Sequence, residues 1–224
     1  MKIVAFVPIK LKSQRLPHKN ILLLGNNPLC SYIFDTLLTV KNQGYIDEVH
    51  VYCSDPKIKN YINDKIIFTK RPSKLDTNEM KGLEIYKSFM NNVYADVYIL
   101  CHATSPFIKA ESIIKGITSV TKDNYDSAFS VQKIKTFSWY KNKVLNYNLN
   151  DIPRTQDIEP IYIETSAFYV FKRNVLICNR RIGIIPKMII TDIKESIDID
   201  TKDDFDMAIA FYKLRSNLYF EYHH

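Results

Sequence analysis

The sequence predicts an α/β protein built on a mostly parallel sheet flanked by helices. Three observations lead there. Short apolar runs of strand length recur along the chain, helical patterns of ten or more residues separate them, and 224 residues are enough for one such domain. Composition agrees, since 46% apolar and 25% charged residues with a mean hydropathy of −0.18 are the values of an ordinary globular chain. No apolar run approaches the ~20 residues needed to cross a bilayer.

The elements follow in order. Ile3–Ile9 (IVAFVPI) is a continuous apolar run, as expected of a strand buried on both faces. From Pro28 to about Val40 apolar residues fall at helical spacing. Asp47–Cys53 (DEVHVYC) is a second strand, closed by the turn Ser54-Asp55-Pro56. Ile66–Thr69 reads as a third strand, Asp76 to about Met90 as a helix, and Asp96–Cys101 (DVYILC) as a central strand. Ile108–Thr121 is helical and Ser127–Val131 extended. The rhythm breaks between about Ile134 and Pro160, where a turn at Tyr140–Lys143 joins two short strands and a polar loop runs from Asn148 to Glu159. This insertion is expected to cover the site or to contact a second subunit. A strand at Ala167–Phe171, a short helix, a strand near Ile184–Ile190 and a final helix from Thr201 to about Arg215 complete one domain over residues 1–222. The terminal pair His223-His224 is left out of the functional argument.

Charge narrows the partners. The chain carries 31 basic and 24 acidic residues, a net +7, which suits a polyanionic ligand. The basic residues are dispersed apart from one group at Lys10, Lys12, Arg15 and Lys19, and no nucleic-acid-binding module is recognisable. A nucleoside triphosphate is therefore favoured over nucleic acid. Cys30, Cys53, Cys101 and Cys178 form no CxxC pair, so buried free thiols are expected rather than a zinc site or disulfides. The first residues lack a cleavage-site pattern, and a cytoplasmic address with no membrane partner is the expectation.

Three segments carry chemistry. The first, Pro8 to Asn20, is a basic loop directly after the first strand, placing cations and the Ser13 hydroxyl where a triphosphate would need its charge neutralised. A solvated surface loop is the competing reading. Neither GxGxxG nor GxxxxGK[ST] is present, which disfavours dinucleotide binding and a P-loop. The second is Ser196-Ile197-Asp198-Ile199-Asp200-Thr201. In extended chain its two carboxylates share a face, about 6.6 Å apart at Cα, and could converge on one hard cation. They could equally face water on a half-exposed strand. Thr201 and Asp204 then match a helix-capping pattern. The third is His102-Ala103-Thr104-Ser105-Pro106 after the central strand, a turn of hydroxyls with a histidine that is either a general base or structural. No GxSxG elbow exists, so hydrolase chemistry has no foothold.

Five blocks in order resemble the CMP-sialic acid synthetase (acylneuraminate cytidylyltransferase) family, over all but the last dozen residues. Lys10 to Asn20 is similar to its A-R-x-x-S-K-R-L-P-x-K-N loop, and Lys70-Arg71-Pro72 with Leu75-Asp76 to its R-P-x-x-L-(x)-x-D segment. His102 to Pro106 stands for Q-P-T-S-P, Pro153-Arg154-Thr155-Gln156 for P-R-x-Q, and Ser196 to Phe205 for S-I-D-I-D-T-x-x-D-[FL]. The resemblance implies a Rossmann-like, GT-A-like nucleotidyltransferase that uses CTP and Mg²⁺ and forms a homodimer through the insertion. It implies that Lys10, Ser13, Gln14, Arg15 and Lys19 face the triphosphate, that Asn20 and Arg71 hold the cytidine end, and that Asp198 and Asp200 bind magnesium. His102, Thr104, Ser105, Arg154, Gln156, Thr165 and Ser166 are the implied acceptor contacts. The implied reaction is attack of a sugar hydroxyl on the α-phosphorus of CTP with release of pyrophosphate.

This chain departs from the pattern in places. Lys10 replaces the loop arginine, Gln14 a lysine and His102 a glutamine, and the segment Ile163-Glu164-Thr165-Ser166-Ala167-Phe168-Tyr169 replaces R-P-N-G-A-[IV]-Y. Lysine keeps the charge of arginine but loses its planar fork. Ile163 stands where an arginine would attract an acidic sugar's carboxylate, so an acceptor other than sialic acid itself is expected unless a cation such as Lys133 or Lys135 compensates. Two other functions compete: a GT-A-type glycosyltransferase, whose D-x-D normally closes the first half of its domain, and a degenerate nucleotide-binding protein, against which the Asp198/Asp200 pair argues.

Overall fold

β1 (Ile3–Ile9) runs through the middle of a seven-stranded sheet in the computed structural model, which describes residues 1–221. After it come a small hairpin of β2 (Leu23–Leu24) and β3 (Asn27–Pro28), α1 (Leu29–Asn42), β4 (Glu48–Cys53) and β5 (Ile67–Lys70). Next are α2 (Gly82–Asn92), β6 (Val97–Cys101), α3 (Ala110–Thr121), β7 (Ser127–Ile134) and a two-stranded ribbon of β8 (Trp139–Tyr140) and β9 (Lys143–Val144). β10 (Ile161–Lys172), α4 (Arg173–Ile177), β11 (Pro186–Thr191) and α5 (Lys202–Glu221) complete the chain. Residue 222 and the His223-His224 pair, which bound the expected domain, lie outside the described residues.

The sheet order is β11-β7-β10-β6-β1-β4-β5, and only β10 runs antiparallel to its neighbours. The mostly parallel sheet is as the sequence predicts. Alternation along β1 feeds two cores: Ala5, Val7 and Ile9 pack with α1 and α3, while Val4 and Phe6 face α2. Phe6 stacks on Phe89 at 4.3 Å between ring centres, and Tyr98 meets both rings edge-on. The chain leaves β1 for β4 on one side and enters β6 on the other, so β1 and β6 bound a switch point where ligands of such sheets bind. A third apolar cluster, with Leu24, Leu29, Ile199 and Ala208 at its centre and Leu16, Tyr32 and Phe205 against it, ties the loop after β1 to α5.

Four expectations are corrected. The helix over Asp76–Met90 begins only at Gly82, because Asp76 ends a short 3-10 turn and its carboxylate is held by Arg71 and Ser54. The strand expected at Ala167–Phe171 starts at Ile161 and carries a bulge between Glu164 and Tyr169, which the sequence hides because its residues are polar. The Asp198/Asp200 segment is no strand of the sheet: β11 ends at Thr191, and a turn capped by the Asp192 side chain intervenes. Cys178 is exposed, while Cys30, Cys53 and Cys101 are buried free thiols, burial pushing Cys30 up to about 12.

His50, on β4, makes the fold sensitive to acid. It is buried, with Nδ1 2.7 Å from Thr69 Oγ1 and Nε2 3.0 Å from Glu48. Burial holds its pKa below the ordinary 6.5 despite Glu48. The unfolded chain therefore binds this proton more readily, and stability falls as pH drops below about 6.5. Glu48, held down by Lys2 and then His50, adds a second loss below its ordinary 4.5. Denaturant midpoints measured from pH 7.5 to 4 should fall in that order, and His50→Gln should flatten the first part of the fall. A midpoint constant between pH 7 and 5.5 would contradict this.

Candidate functional site

The loop after β1 is fixed by its own polar groups. Ser13 Oγ donates to the Leu16 carbonyl at 2.5 Å and accepts from the Lys19 amide at 3.1 Å, and buried Asn20 donates to the Lys10 carbonyl at 2.9 Å. His18 turns the chain at a φ of 57° into a 3-10 turn. Ser13 and Asn20 therefore shape the loop. Their neighbours Lys10, Lys12 and Gln14 line a cavity of about 630 Å³ together with Ser54, Asp76 and Asn78. A second cavity of about 310 Å³ shares Lys10, Lys12, Ser13, Gln14 and Asn78 with the first and reaches Arg15, Lys19 and Asp200. The two form one groove across the carboxyl end of β1. Asp76 lines its far end, and Arg71, buried after β5 and lining neither cavity, donates to Asp76 Oδ1 from Nε and Nη2 at 3.0 and 2.6 Å.

The acidic segment closes the other end. Ile199 is fully buried, and its amide donates to the Thr104 carbonyl at 2.9 Å, so the carboxylates on either side share the opposite face. Glu195, buried, accepts from the Lys109 amide at 3.0 Å and from Ser112 Oγ at 2.6 Å, docking the segment on the start of α3. Asp204 accepts from the amides of Asp200 and Thr201, the capping role its spacing predicts. Asp200 is paired with Lys19 at 2.8 Å and Arg15 at 3.0 Å. Burial alone would raise its pKa, but those two cations hold it below the ordinary carboxylate range. Asp198 differs. Burial pushes its pKa up and the Asp200 charge adds to this, against a hydrogen bond to Thr104. Its Oδ1 is buried and makes no hydrogen bond.

The turn after β6 lies beside this pair. Ser105 Oγ is also buried without a partner. His102 Nδ1 lies 2.5 Å from the Ser166 carbonyl. A carbonyl only accepts, so Nδ1 carries the proton and Nε2 is left as an acceptor. Burial keeps His102 below its ordinary pKa, hence neutral near pH 7. Ser166 reaches it from the β10 bulge with a φ of 60°, an uncommon backbone state for serine that favours a site over a plain strand. Thr165 is buried there, its hydroxyl committed to Ser130 at 2.7 Å. Arg154 and Gln156 are not drawn in by any described contact. Arg154 is exposed and paired with Asp157 at 2.7 Å, and the Gln156 carbonyl accepts from Lys135 at 2.6 Å.

A family model described as cytidylyltransferase matches residues 4–223. The chain belongs to the cytidylyltransferase family. An N-acylneuraminate cytidylyltransferase of Escherichia coli is 25% identical over 233 residues, covering 96% of this chain and 53% of the relative. This chain thus spans about half the length of that relative. The CMP-N,N'-diacetyllegionaminic acid synthase of Legionella pneumophila is 28% identical over 230 residues, covering 96% of this chain and 97% of the relative. A solved CMP:2-keto-3-deoxy-manno-octonic acid synthetase complexed with CTP shares the fold, with a TM-score of 0.70, 17% identity, and coverage of 96% of this chain and 100% of that one.

Sequence reasoning missed several groups around this candidate site of a cytidylyltransferase-family chain. Asn78, which accepts from Lys10 Nζ at 3.1 Å, falls in the stretch expected to be helical. Glu195 gives no periodic signal, because it acts across 83 residues on Ser112. Arg181 lies in an irregular segment before β11 and pairs with Glu164 at 3.1 Å. No motif marks it.

Proposed function

We propose that this chain transfers CMP from CTP to a hydroxyl of an acidic sugar, releasing pyrophosphate. The observation that carries the reading is the single groove running from Asp76 past Lys10, Lys12 and Gln14 to Arg15, Lys19 and Asp200. It is long, cationic along its floor and acidic at the end beside the β6 turn. The triphosphate lies along the lysines, with Lys10, Arg15 and Lys19 neutralising the charge that builds up on the departing pyrophosphate. Arg71 and Asp76 hold the cytidine end. The acceptor sits at the β6 turn, where neutral His102 offers Nε2 to its hydroxyl proton. Positioning of the two reactants accounts for much of the rate.

The acidic pair fits a magnesium ion. Asp198 presents a buried oxygen with no hydrogen-bond partner, next to a second carboxylate, and no group of three or more His, Cys, Asp or Glu side chains suited to a metal occurs among the described residues. Magnesium typically takes one or two carboxylates and completes its shell with water and phosphate oxygens. Asp198 and Asp200 would hold it, and its charge would lower the cost of negative charge developing on the α-phosphate. No described helix is long and apolar enough to cross a membrane, and dependence on CTP supports action in the cytoplasm.

The insertion supports a homodimer. Phe137 and Trp139 pack on Tyr147, at 4.8 and 6.3 Å, yet Trp139, Tyr140, Leu145, Leu149 and Ile152 stay more than half exposed. Large apolar side chains left exposed together on one insertion fit an interface. Light scattering at micromolar concentration should give twice the chain mass, and Trp139→Asp with Tyr140→Asp should halve it. A wild-type monomer would contradict the dimer.

Pyrophosphate release tests the transfer reading. With CTP and magnesium, release should require an acidic sugar and should fall when UTP, ATP or GTP replaces CTP. Equal release without any acceptor would overturn it.

A further inference from the structure

An acidic acceptor brings a carboxylate that needs a cation. Two of the candidates in the sequence are committed elsewhere, Arg154 to Asp157 and Lys135 to the Gln156 carbonyl, and Lys133 sits at an exposed position of β7 opposite Tyr162, away from the bulge. Another arginine stands at the right place. β10 pairs with β6 so that Phe168 lies opposite Cys101, which sets Glu164 to Ser166 beyond the carboxyl end of β6. From there a chain of contacts leads outward. Ser166 gives its carbonyl to His102, and its hydroxyl lies 3.4 Å from the Tyr169 hydroxyl. Tyr169 donates to Glu164 Oε2 at 2.8 Å, and the same oxygen accepts from Arg181 Nη2 at 3.1 Å. The guanidinium carbon lies 4.2 Å from the centre of the Tyr169 ring.

We propose that Arg181 is the specificity-determining cation of the acceptor site, receiving the carboxylate of the acidic sugar whose hydroxyl reacts near His102. Stacking on Tyr169 and one bond to Glu164 fix the plane of the guanidinium. Tyr86 on α2 meets it as well. Of the five N–H donors of an arginine, these contacts leave enough for a two-point grip on a carboxylate. The side chain is 37% exposed, so a ligand can reach it. His102 meets the same Tyr169 ring edge-on at 6.4 Å between centres, so one aromatic ring links Arg181 to the proposed reacting end. Glu164 holds the guanidinium in place and at the same time offsets its charge, so an incoming carboxylate competes with Glu164 for part of the fork.

This inference rests on the transfer reading above, and one kinetic comparison separates the two. Wild type, Arg181→Met and Arg181→Lys are assayed with CTP and three acceptors: N-acetylneuraminate, N,N'-diacetyllegionaminate and 3-deoxy-manno-octulosonate, each also as its carboxamide. With Arg181→Met, the KM for the best acid should rise about ten- to a hundredfold while the KM for CTP stays unchanged. Arg181→Lys should fall between. The carboxamide should be a poor acceptor for wild type and no poorer for Arg181→Met. If methionine lowers CTP binding, Arg181→Lys, which keeps the charge, carries the same comparison. Equal losses on acid and carboxamide, or an unchanged acceptor KM, would overturn the role of Arg181 and leave the transfer reading standing. A wild-type protein that binds CTP and turns over none of the acids would overturn both.

Discussion

Asp200→Asn should leave the fold intact and lower turnover about a hundredfold or more. Asp200 is half-buried at the end of the groove, and its backbone is held independently by Asp204, so the loss of one carboxylate does not release the segment. What changes is charge. The asparagine no longer balances Lys19 and Arg15, and it would no longer share the proposed magnesium ion with Asp198. Asp198→Asn should be at least as severe, because its free oxygen is the group with no other partner. The check is turnover across a magnesium titration, alongside a thermal midpoint showing a folded protein. Near-normal activity of either variant in limiting magnesium would remove the pair from the site.

Lys19→Ala is expected to lower kcat/KM for CTP by about ten- to a hundredfold. Its side chain is only 12% exposed, and its ammonium reaches Asp200 from the turn that Ser13 and Asn20 hold in shape. Arg15→Ala should have a smaller effect in the same direction, since Arg15 is largely solvent-exposed and its pairing with Asp200 is weakened by solvent. Both effects should be the same whichever acceptor is supplied, if these cations act on the nucleotide as proposed. Steady-state constants for CTP and for two acceptors decide it. A change confined to acceptor preference would place the loop on the other side of the site.

What the sequence shows and what it conceals follow one rule: groups that act through local spacing are legible, and groups that act across the fold are not. β1 and β6 announce themselves because strands buried on both faces are continuous apolar runs. Asp198 and Asp200 are legible because alternation forces both to one face, and the Thr201/Asp204 cap because it spans one turn. The helix expected from Asp76 fails because a side-chain clamp from Arg71 and Ser54 outweighs local preference. The β10 bulge is hidden because Glu164, Thr165 and Ser166 are polar, and only the fold supplies Arg181, Ser130 and His102 to satisfy them. Glu195 belongs with these, since its partners, Lys109 just before α3 and Ser112 on it, precede it by more than 80 residues.

A groove that joins CMP to an acidic sugar must yield the CMP-sugar itself, and the product can be observed. The protein is incubated with CTP, magnesium and each of the three acidic acceptors, and the mixture is followed by phosphorus NMR. The three CTP resonances should disappear, inorganic pyrophosphate and one phosphodiester resonance should appear in equal molar amount, and the product mass should equal CMP joined to the sugar. CTP that is bound yet unchanged with every acceptor, or that is cleaved to CDP and phosphate with no phosphodiester formed, would contradict it.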